Sequence, residues 1–256
     1  MSRFEEIVLK TLAIVLVPVV AGLALYLKLL WTESTEAKPS FNGYVAPIDM
    51  WGVVDYVQKS TVTIECKDSV GSGFSFRLST KDEFNQWKFE APKSEGSLLL
   101  TNFHVVEECS ESGQKPIVKL AKGKELLGEI KAVDTENDIA VLVIDKKLEP
   151  LLPIWWEIYS GYWVMATGSP FDMQGTVTFG NIINSDNNRI YTSASLNRGN
   201  SGGPLTDNEG YVIGINAGYR AVAQNLNWAI DVNTLCDNLV DCNKPFFEDG
   251  LIHPRK

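Results

Sequence analysis

A serine set among glycines is the feature of this chain that most directly suggests chemistry. Ser201 lies in the stretch NRGNSGGPL, which runs from Asn197 to Leu205. Glycine is entropically costly to order and adds no side-chain packing, so such a run indicates that another group approaches the main chain closely. An oxyanion is one such group, because backbone N–H groups can point at a developing negative charge only where no Cβ intervenes. Ser201 is therefore a candidate nucleophile.

A serine nucleophile needs a base within hydrogen-bond reach, and the chain has only two histidines. His253 lies three residues from the C-terminus, whereas His104 follows an apolar run in LLLTNFHVV. The base in turn needs a buried carboxylate that fixes its tautomer. Asp138 precedes the apolar run IAVLVI, where an unpaired carboxylate would be costly. Such a histidine or aspartate is usually structural, but with Ser201 the three residues form a candidate catalytic triad.

The motif GNSGG also fits the G-x-S-x-G nucleophile elbow of α/β-hydrolases. That elbow has a strand before the serine, a helix after it and a histidine later in the chain. Here Pro204 and a turn at Asp207–Gly210 follow the serine, and only His253 comes later. The sequence therefore disfavours this alternative.

Short segments with alternating apolar residues dominate the chain after residue 60, which indicates an all-β fold. Strands are predicted at 61–66, 71–78, 97–102, 116–120, 126–133, 139–144, 162–168, 175–184, 189–194, 211–218 and 226–230. Short helices are predicted near 47–58 and 231–240, and 80–96 is predicted to be a charged, exposed loop. The predicted domain boundaries are a membrane anchor at 1–31, a linker at 32–46, a first half at 47–148, a second half at 149–242 and a tail at 243–256.

With these segments in order, the chain resembles the trypsin-like (chymotrypsin-fold) serine proteases, most closely the HtrA/Deg branch. The resemblance covers 54–239 and rests on TNFHVV, DTENDIAVLVID and NRGNSGGPL, with GSGFSF, VMATGSPF and VIGIN between and after them. It implies two six-stranded antiparallel β-barrels with the active site between them. The 16 residues after Val240 are too few for a PDZ domain, so none is expected.

The resemblance also implies roles for individual residues. Ser201 would attack the scissile carbonyl, His104 would act as general base and acid, and Asp138 would orient the imidazole. The loop Gly199–Asn200–Ser201 would form the oxyanion hole through the N–H groups of its first and last residues. Asn200 replaces the aspartate that captures a freed N-terminus in digestive enzymes, so activation by pro-segment cleavage is not expected.

The substrate pocket implied by the resemblance has no acidic member. Its floor would be Ser195, and its walls would come from Ala217, Gly218, Tyr219, Asn227 and Trp228. We therefore expect small or medium aliphatic P1 residues rather than arginine or lysine. No metal or cofactor is expected.

Four cysteines are present and none forms a C-x-x-C pair, which disfavours a zinc or thioredoxin-like site. An even number is compatible with two disulfides in an oxidising compartment, while four free thiols remain the alternative. The resemblance implies a disulfide between Cys66 and Cys109. Cys236 and Cys242 could pair if the last helix ends near Asp241.

The N-terminal segment from Ile7 to Trp31 is apolar enough to cross a bilayer as a helix. A cleaved signal peptide and a buried soluble helix are the alternatives; no clear cleavage site follows the apolar run. The positive-inside count is nearly level, so the expected extracytoplasmic (periplasmic-side) location of the catalytic body comes from the resemblance. Beyond Trp31 there are 20 basic and 30 acidic residues, which disfavours nucleic acid as a partner.

Two readings of the function stay open beside membrane-tethered quality control or regulated proteolysis. One is a catalytically weak, protease-fold peptide binder or chaperone, and the other is a processing protease for one membrane partner. The resemblance also raises the possibility of a homotrimer built through Phe41 and Tyr44.

Overall fold

A computed structural model describes the greater part of the chain beyond the N-terminal segment. The described residues are 41–78, 87–89, 96–153, 158–170, 173–186, 188–219 and 226–241. The chain divides into two compact units, Met1–Pro39 and Ser40–Lys256, and all described residues belong to the second.

Strands make up most of the described structure. They are β1 (Thr61–Cys66), β2 (Ser69–Ser75), β3 (Ser97–Thr101), β4 (Ile117–Lys119), β5 (Glu125–Leu127), β6 (Glu129–Asp134), β7 (Ile139–Ile144), β8 (Trp163–Gly168), β9 (Thr176–Asp186), β10 (Arg189–Thr192), β11 (Pro204–Thr206), β12 (Val212–Tyr219) and β13 (Asn227–Asp231).

Three α-helices lie among the described residues: α1 (Met50–Ser60), α2 (Phe103–Ser112) and α3 (Leu235–Asn238). Helix α1 begins where the Asp49 side chain accepts a hydrogen bond from the N–H of Gly52. A 3₁₀ turn at Val232–Thr234, capped by Asp231, leads into α3. Helices α1 and α3 match the predicted segments, whereas α2 was not predicted.

The first half of the fold is a seven-stranded antiparallel sheet in the order β5-β4-β1-β2-β3-β7-β6. It is not the closed six-stranded barrel that we predicted. The predicted strand at 126–133 divides into β5, which pairs with β4, and β6, which pairs with β7. Only Gly128 separates the two, and its N–H donates to the carbonyl of Pro116. The edge strands β5 and β6 are thus adjacent in sequence, but they do not pair with each other, so the sheet is curved and not closed.

The second half is a closed barrel of six antiparallel strands in the order β10-β13-β12-β11-β8-β9, as predicted. Strand β11 was missed because it is three residues long and begins with a proline. It completes the barrel by pairing with both β8 and β12. Since β11 follows Ser201 after two residues, barrel closure fixes the chain immediately beyond the candidate nucleophile.

The two halves share one hydrophobic core. Fully buried Phe74 and Leu100 from the first half belong to the same cluster as Met165 and Ile215 from the second. Burial of large apolar side chains stabilises a fold by about 1.5–3 kcal/mol each, so the cleft between the halves has a rigid base.

The segment predicted as an exposed loop contributes to this core where it is described. Trp87 is buried, forms an isolated bridge with Val240 and packs edge-to-face on Phe76. No helix within the described ranges is long and apolar enough to span a membrane, and the predicted anchor at 7–31 lies outside those ranges.

Candidate active site

His104 and Asp138 make two hydrogen bonds with each other. Nδ1 of His104 lies 2.8 Å from Oδ2 of Asp138, and the backbone N–H of His104 donates to Oδ1 at 2.9 Å. Both carboxylate oxygens therefore contact the same residue, which fixes the imidazole at its Nδ1 edge. The Asp138 side chain is 36 % exposed, so the expectation of a buried carboxylate was wrong. Its position in the turn between β6 and β7 leaves one side open to solvent.

The backbone around Asp138 is as constrained as its side chain. Asp138 has φ +55°, a left-handed conformation that aspartate and asparagine tolerate better than most residues. Its carbonyl accepts hydrogen bonds from Nδ2 of Asn102 at 3.0 Å and from the N–H of Phe103 at 3.2 Å. Asn102 is fully buried and precedes α2, so the turn that carries the carboxylate is attached to the start of the helix that carries His104.

The glycines around Ser201 are required by close contacts with neighbouring backbone. Gly199 has φ +98° and Gly202 has φ +85°. A Cβ on Gly199 would lie 2.6 Å from the carbonyl of Ser169, and one on Gly202 would collide with the carbonyl of Ser72. These two positions therefore exclude side chains for both conformational and steric reasons.

The Ser201 side chain does not contact His104 in this structure. Its Oγ donates to the carbonyl of Ala217 at 3.2 Å, and no hydrogen bond joins it to the imidazole among the described contacts. The Ser201 backbone is nevertheless close to the histidine helix. A Cβ placed on Gly71 would lie 2.9 Å from the carbonyl of Ser201 and 2.5 Å from the Val105 side chain.

Two backbone N–H groups flank the hydroxyl without an acceptor. Among the described residues, neither the N–H of Gly199 nor that of Ser201 donates to the protein, whereas Asn200 between them donates to the carbonyl of Asn197 at 3.0 Å. Asn200 is buried, and its Oδ1 has no partner within the described structure. The loop thus offers two free donors to an external oxyanion.

A cavity of about 740 Å³ adjoins this site and extends between the two halves. It is lined by His104, Asp138, Glu136, Asn137, Asp186, Asn188, Arg189, Tyr191, Ala217, Trp228 and Ile230. Asn188 donates to Oδ1 of Asn137 at 2.9 Å, which bridges the halves at the rim. The guanidinium of Arg189 lies 5.8 Å from the centre of the Trp228 ring.

The predicted pocket residues divide into two groups. Ala217 and Trp228 line the cavity, and the Trp228 ring packs so closely on Gly218 that a Cβ there would lie 2.6 Å from Cη2. Asn227 is buried and accepts from the N–H of Leu196, so it holds the barrel together and is not a wall of this cavity. Ser195 and Tyr219 are exposed and do not line it either.

A disulfide joins Cys66 to Cys109, the pair implied by the resemblance. It connects β1 to the buried face of α2, five residues beyond His104. Cys236 is also disulfide-bonded, and Cys242, its predicted partner, lies outside the described residues.

Sequence reasoning missed two residues that build the site. Asn102 could have been found as an N-cap residue two positions before the histidine. Ser72 is fully buried and contacts the Ser201 loop through both its hydroxyl and its N–H. Its position between two glycines in GSGF was the available signal.

Comparison with known sequences points to one family of enzymes. Residues 91–215 match the family model described as a trypsin-like peptidase domain. The chain is 37 % identical over 150 residues to the putative serine protease HhoB of Synechocystis, covering 53 % of this chain and 35 % of the relative. It is 40 % identical over 135 residues to a probable periplasmic serine endoprotease, DegP-like, of Halomonas elongata, covering 48 % and 27 %. The chain thus spans between about a quarter and about a third of the length of these relatives.

Solved structures give the same result. A serine endoprotease from Yersinia pestis superposes with a TM-score of 0.61 at 26 % identity, covering 81 % of this chain and 70 % of that one. Deg5 superposes with a TM-score of 0.58 at 27 % identity, covering 73 % and 90 %.

Proposed function

Because residues 91–215 match the trypsin-like peptidase domain and the chain is similar to HtrA/Deg serine proteases, we propose that it is a serine endopeptidase acting through an acyl-enzyme on Ser201. The observation that carries this proposal is the paired contact of His104 with both carboxylate oxygens of Asp138. An imidazole held in this way keeps its proton on Nδ1 and leaves Nε2 free as a base.

In the first step, the Ser201 hydroxyl leaves the Ala217 carbonyl and turns toward Nε2 of His104. Oγ attacks the substrate carbonyl carbon while its proton moves to the imidazole. The resulting imidazolium is stabilised by the Asp138 carboxylate and donates that proton to the leaving amine. Water then attacks the acyl-enzyme by the same route and regenerates the serine.

The oxyanion formed in each step is bound by the N–H groups of Gly199 and Ser201. Support comes from the absence of an acceptor for either group among the described residues. Donors already in place at the developing charge contribute roughly 10²–10³ in rate each in sites of this kind.

The decisive experiment is labelling with a fluorophosphonate probe, followed by hydrolysis of an unfolded protein substrate. The purified wild-type chain is expected to label and to cleave, and Ser201→Ala is expected to do neither. His104→Ala should retain the fold with activity lowered by roughly 10³-fold or more. A wild-type chain that neither labels nor cleaves under varied conditions, but still binds peptides, would instead support the peptide-binder reading.

Substrate preference follows from the cavity beside the histidine. Trp228 and Ala217 present apolar surface there, which supports cleavage after small or medium aliphatic residues. Glu136 and Asp186 line the same cavity, as does Arg189. A peptide library tests this preference, and dominant cleavage after arginine or lysine would contradict it.

The location proposed for the enzyme is the extracytoplasmic side of a membrane, tethered through residues 7–31. The Cys66–Cys109 disulfide supports an oxidising compartment. Carbonate extraction of membranes should retain the full chain in the pellet and release a variant lacking residues 1–31. Release of both forms would contradict the anchor.

The proposed role is protein quality control or regulated proteolysis near the membrane, with cleavage of one dedicated membrane partner as the narrower alternative. Proteins retained by a Ser201→Ala trap distinguish these: many unfolded proteins indicate quality control and one partner indicates processing.

A homotrimer through Phe41 and Tyr44 is also proposed. Tyr44 is 38 % exposed and packs edge-to-face on Tyr162, and a monomer by light scattering in detergent would contradict the trimer.

A further inference from the structure

We propose that Ser72 is a positioning residue that holds the oxyanion loop of Ser201 in its donor-presenting conformation. The proposal rests on the serine endopeptidase function and concerns a residue of the first half that touches neither of the two candidate acid–base side chains. Ser72 lies on β2, is fully buried, and faces the loop across the interface between the halves.

Ser72 contacts the loop at two points. Its Oγ donates to the carbonyl of Gly199 at 2.6 Å, and its backbone N–H donates to the carbonyl of Ser201 at 2.7 Å. Both carbonyls on either side of Asn200 are therefore directed toward the first half.

These carbonyls belong to the peptides that carry the N–H groups of Asn200 and Gly202, which donate to the carbonyls of Asn197 and Asn216. The peptide between Gly199 and Asn200 is planar, and it is held at both ends, because its carbonyl binds Ser72 and its N–H binds the carbonyl of Asn197 at 3.0 Å. That fixed peptide lies between the two free donors, the N–H groups of Gly199 and Ser201. Loss of the Ser72 hydrogen bond would free this peptide, and with it the torsions at Gly199 and Asn200 that set the directions of the two donor N–H groups.

The Ser72 hydroxyl is itself held in place. It accepts from the N–H of Ser169 at 2.9 Å, and a Cβ on Gly168 would lie 3.0 Å from its oxygen. With its acceptor site used by Ser169, the hydroxyl proton points to Gly199. A buried donor of this kind has no water to replace it when it is removed, so the Gly199 carbonyl would keep only a 3.4 Å contact from Ser169.

Thr63 provides a matched control. Its Oγ1 is buried and donates to Oγ of Ser169 at 2.7 Å, so it also joins the two halves through Ser169, but it does not contact the Ser201 loop. Thr63→Val removes one buried hydrogen bond between the halves without releasing the loop, whereas Ser72→Ala removes two.

The test compares kcat, KM and the rate constant of fluorophosphonate labelling in the wild type, Ser72→Ala and Thr63→Val. Ser72→Ala is expected to lower kcat and the labelling rate roughly 10- to 100-fold, a share of the effect of losing an oxyanion donor, with KM within about 2-fold. Thr63→Val is expected to keep both rates within about 2-fold while still lowering the melting temperature, because it also breaks a buried hydrogen bond between the halves.

Each other outcome is decisive. Wild-type rates in folded Ser72→Ala, or equal losses in the two variants, would overturn the positioning role. If Ser72→Ala does not fold, Ser72→Cys carries the comparison, because a thiol is a weaker donor of similar shape; its rates should fall below the wild type, and unchanged rates would overturn the role. Failure of the wild type itself to label or cleave would refute the proposed function, which is distinguishable from failure of this inference.

Discussion

The acceptor groups of Asp138 all bind residues at the start of helix α2. Its two carboxylate oxygens bind His104 and its carbonyl binds Asn102 and Phe103. The side chain and the left-handed backbone therefore serve separate purposes, which makes the effects of charge and of conformation separable by mutation.

Asp138→Asn is expected to lower kcat roughly 10³- to 10⁴-fold at neutral pH with little loss of stability. Asparagine tolerates φ +55° and can accept from the His104 N–H, but its amide cannot accept from Nδ1 and so favours the wrong tautomer. Asp138→Ala should lose activity and also unfold at a lower temperature, because alanine strains this backbone. Kinetics and thermal unfolding of both variants check this, and an active Asp138→Asn enzyme would show that the carboxylate is not needed.

Asp207 gives the fold a specific pH dependence. Burial raises the pKa of this carboxyl to about 7, although its oxygen accepts hydrogen bonds from the N–H groups of Glu209 and Tyr211. Its pKa in the folded state thus lies above that of the unfolded chain, near 3.9. The folded state is favoured most below the unfolded pKa, and this contribution is lost as pH rises through about 7.

Asp207→Asn is therefore expected to be the more stable form at pH 8, by up to roughly 4 kcal/mol, and to lose that advantage toward pH 4. The amide keeps the acceptor for both N–H groups and carries no charge. Urea unfolding at pH 5, 6, 7 and 8 measures the difference. The same pH profile in both proteins would rule out Asp207 as its source.

At the scale of elements, helix α2 and its disulfide position His104, the candidate catalytic base. The helix is only ten residues long and has no side-chain N-cap hydrogen bond. Val105, Val106 and Cys109 form its buried face, and the bond from Cys109 to Cys66 attaches that face to β1.

Replacement of both Cys66 and Cys109 by alanine is expected to lower the free energy of unfolding by about 2–4 kcal/mol, because the loop closed by the disulfide is released. Activity should fall at temperatures where α2 detaches before the barrel unfolds. Urea unfolding of the double variant under oxidising conditions tests this, since Cys236 keeps its own bond there. Unchanged stability would mean that packing alone holds the helix.

The sequence predicted the strands better than the elements between them. Alternation in TVTIEC predicted β1, and the short apolar run IAVLVI predicted β7, both at their observed ends. Helix α2 was missed because Phe103, Val105 and Val106 have strand propensity, and tertiary packing decides their state. Asn102 before it and the left-handed Gly113 after it were the overlooked signals.

For the candidate site, residue types and order indicated the three side chains, but spacing along the chain carries no distance in space. The contacts of Ser72 and the direction of the Ser201 hydroxyl depend on how the two halves meet, 127 residues apart in the case of Ser72 and Gly199. Such long-range geometry has no local sequence pattern.

At the scale of the molecule, net charge affects which substrates reach the cleft. The chain carries a formal charge of −9, and Glu136 and Asp186 line the cavity beside His104. This negative charge attracts positively charged substrates over long range, and salt screens the attraction.

We expect kcat/KM for a basic unfolded substrate to fall several-fold as ionic strength rises from about 0.05 to 0.5 M, where the Debye length shortens from about 14 to about 4 Å. An acidic substrate with the same cleavage sequence should show the opposite trend. Initial rates at low substrate concentration provide the measurement, and parallel salt profiles for the two substrates would exclude electrostatic steering.

The left-handed turn at Asp138 also restricts how this protein can change over generations. Most replacements there would strain the backbone and destabilise the fold, and selection would remove them. Asp138→Asn, by contrast, would keep the fold and abolish the proposed hydrolysis. A lineage that kept the scaffold but abandoned hydrolysis would be expected to carry asparagine at this position, and it would otherwise be hard to tell from a working enzyme.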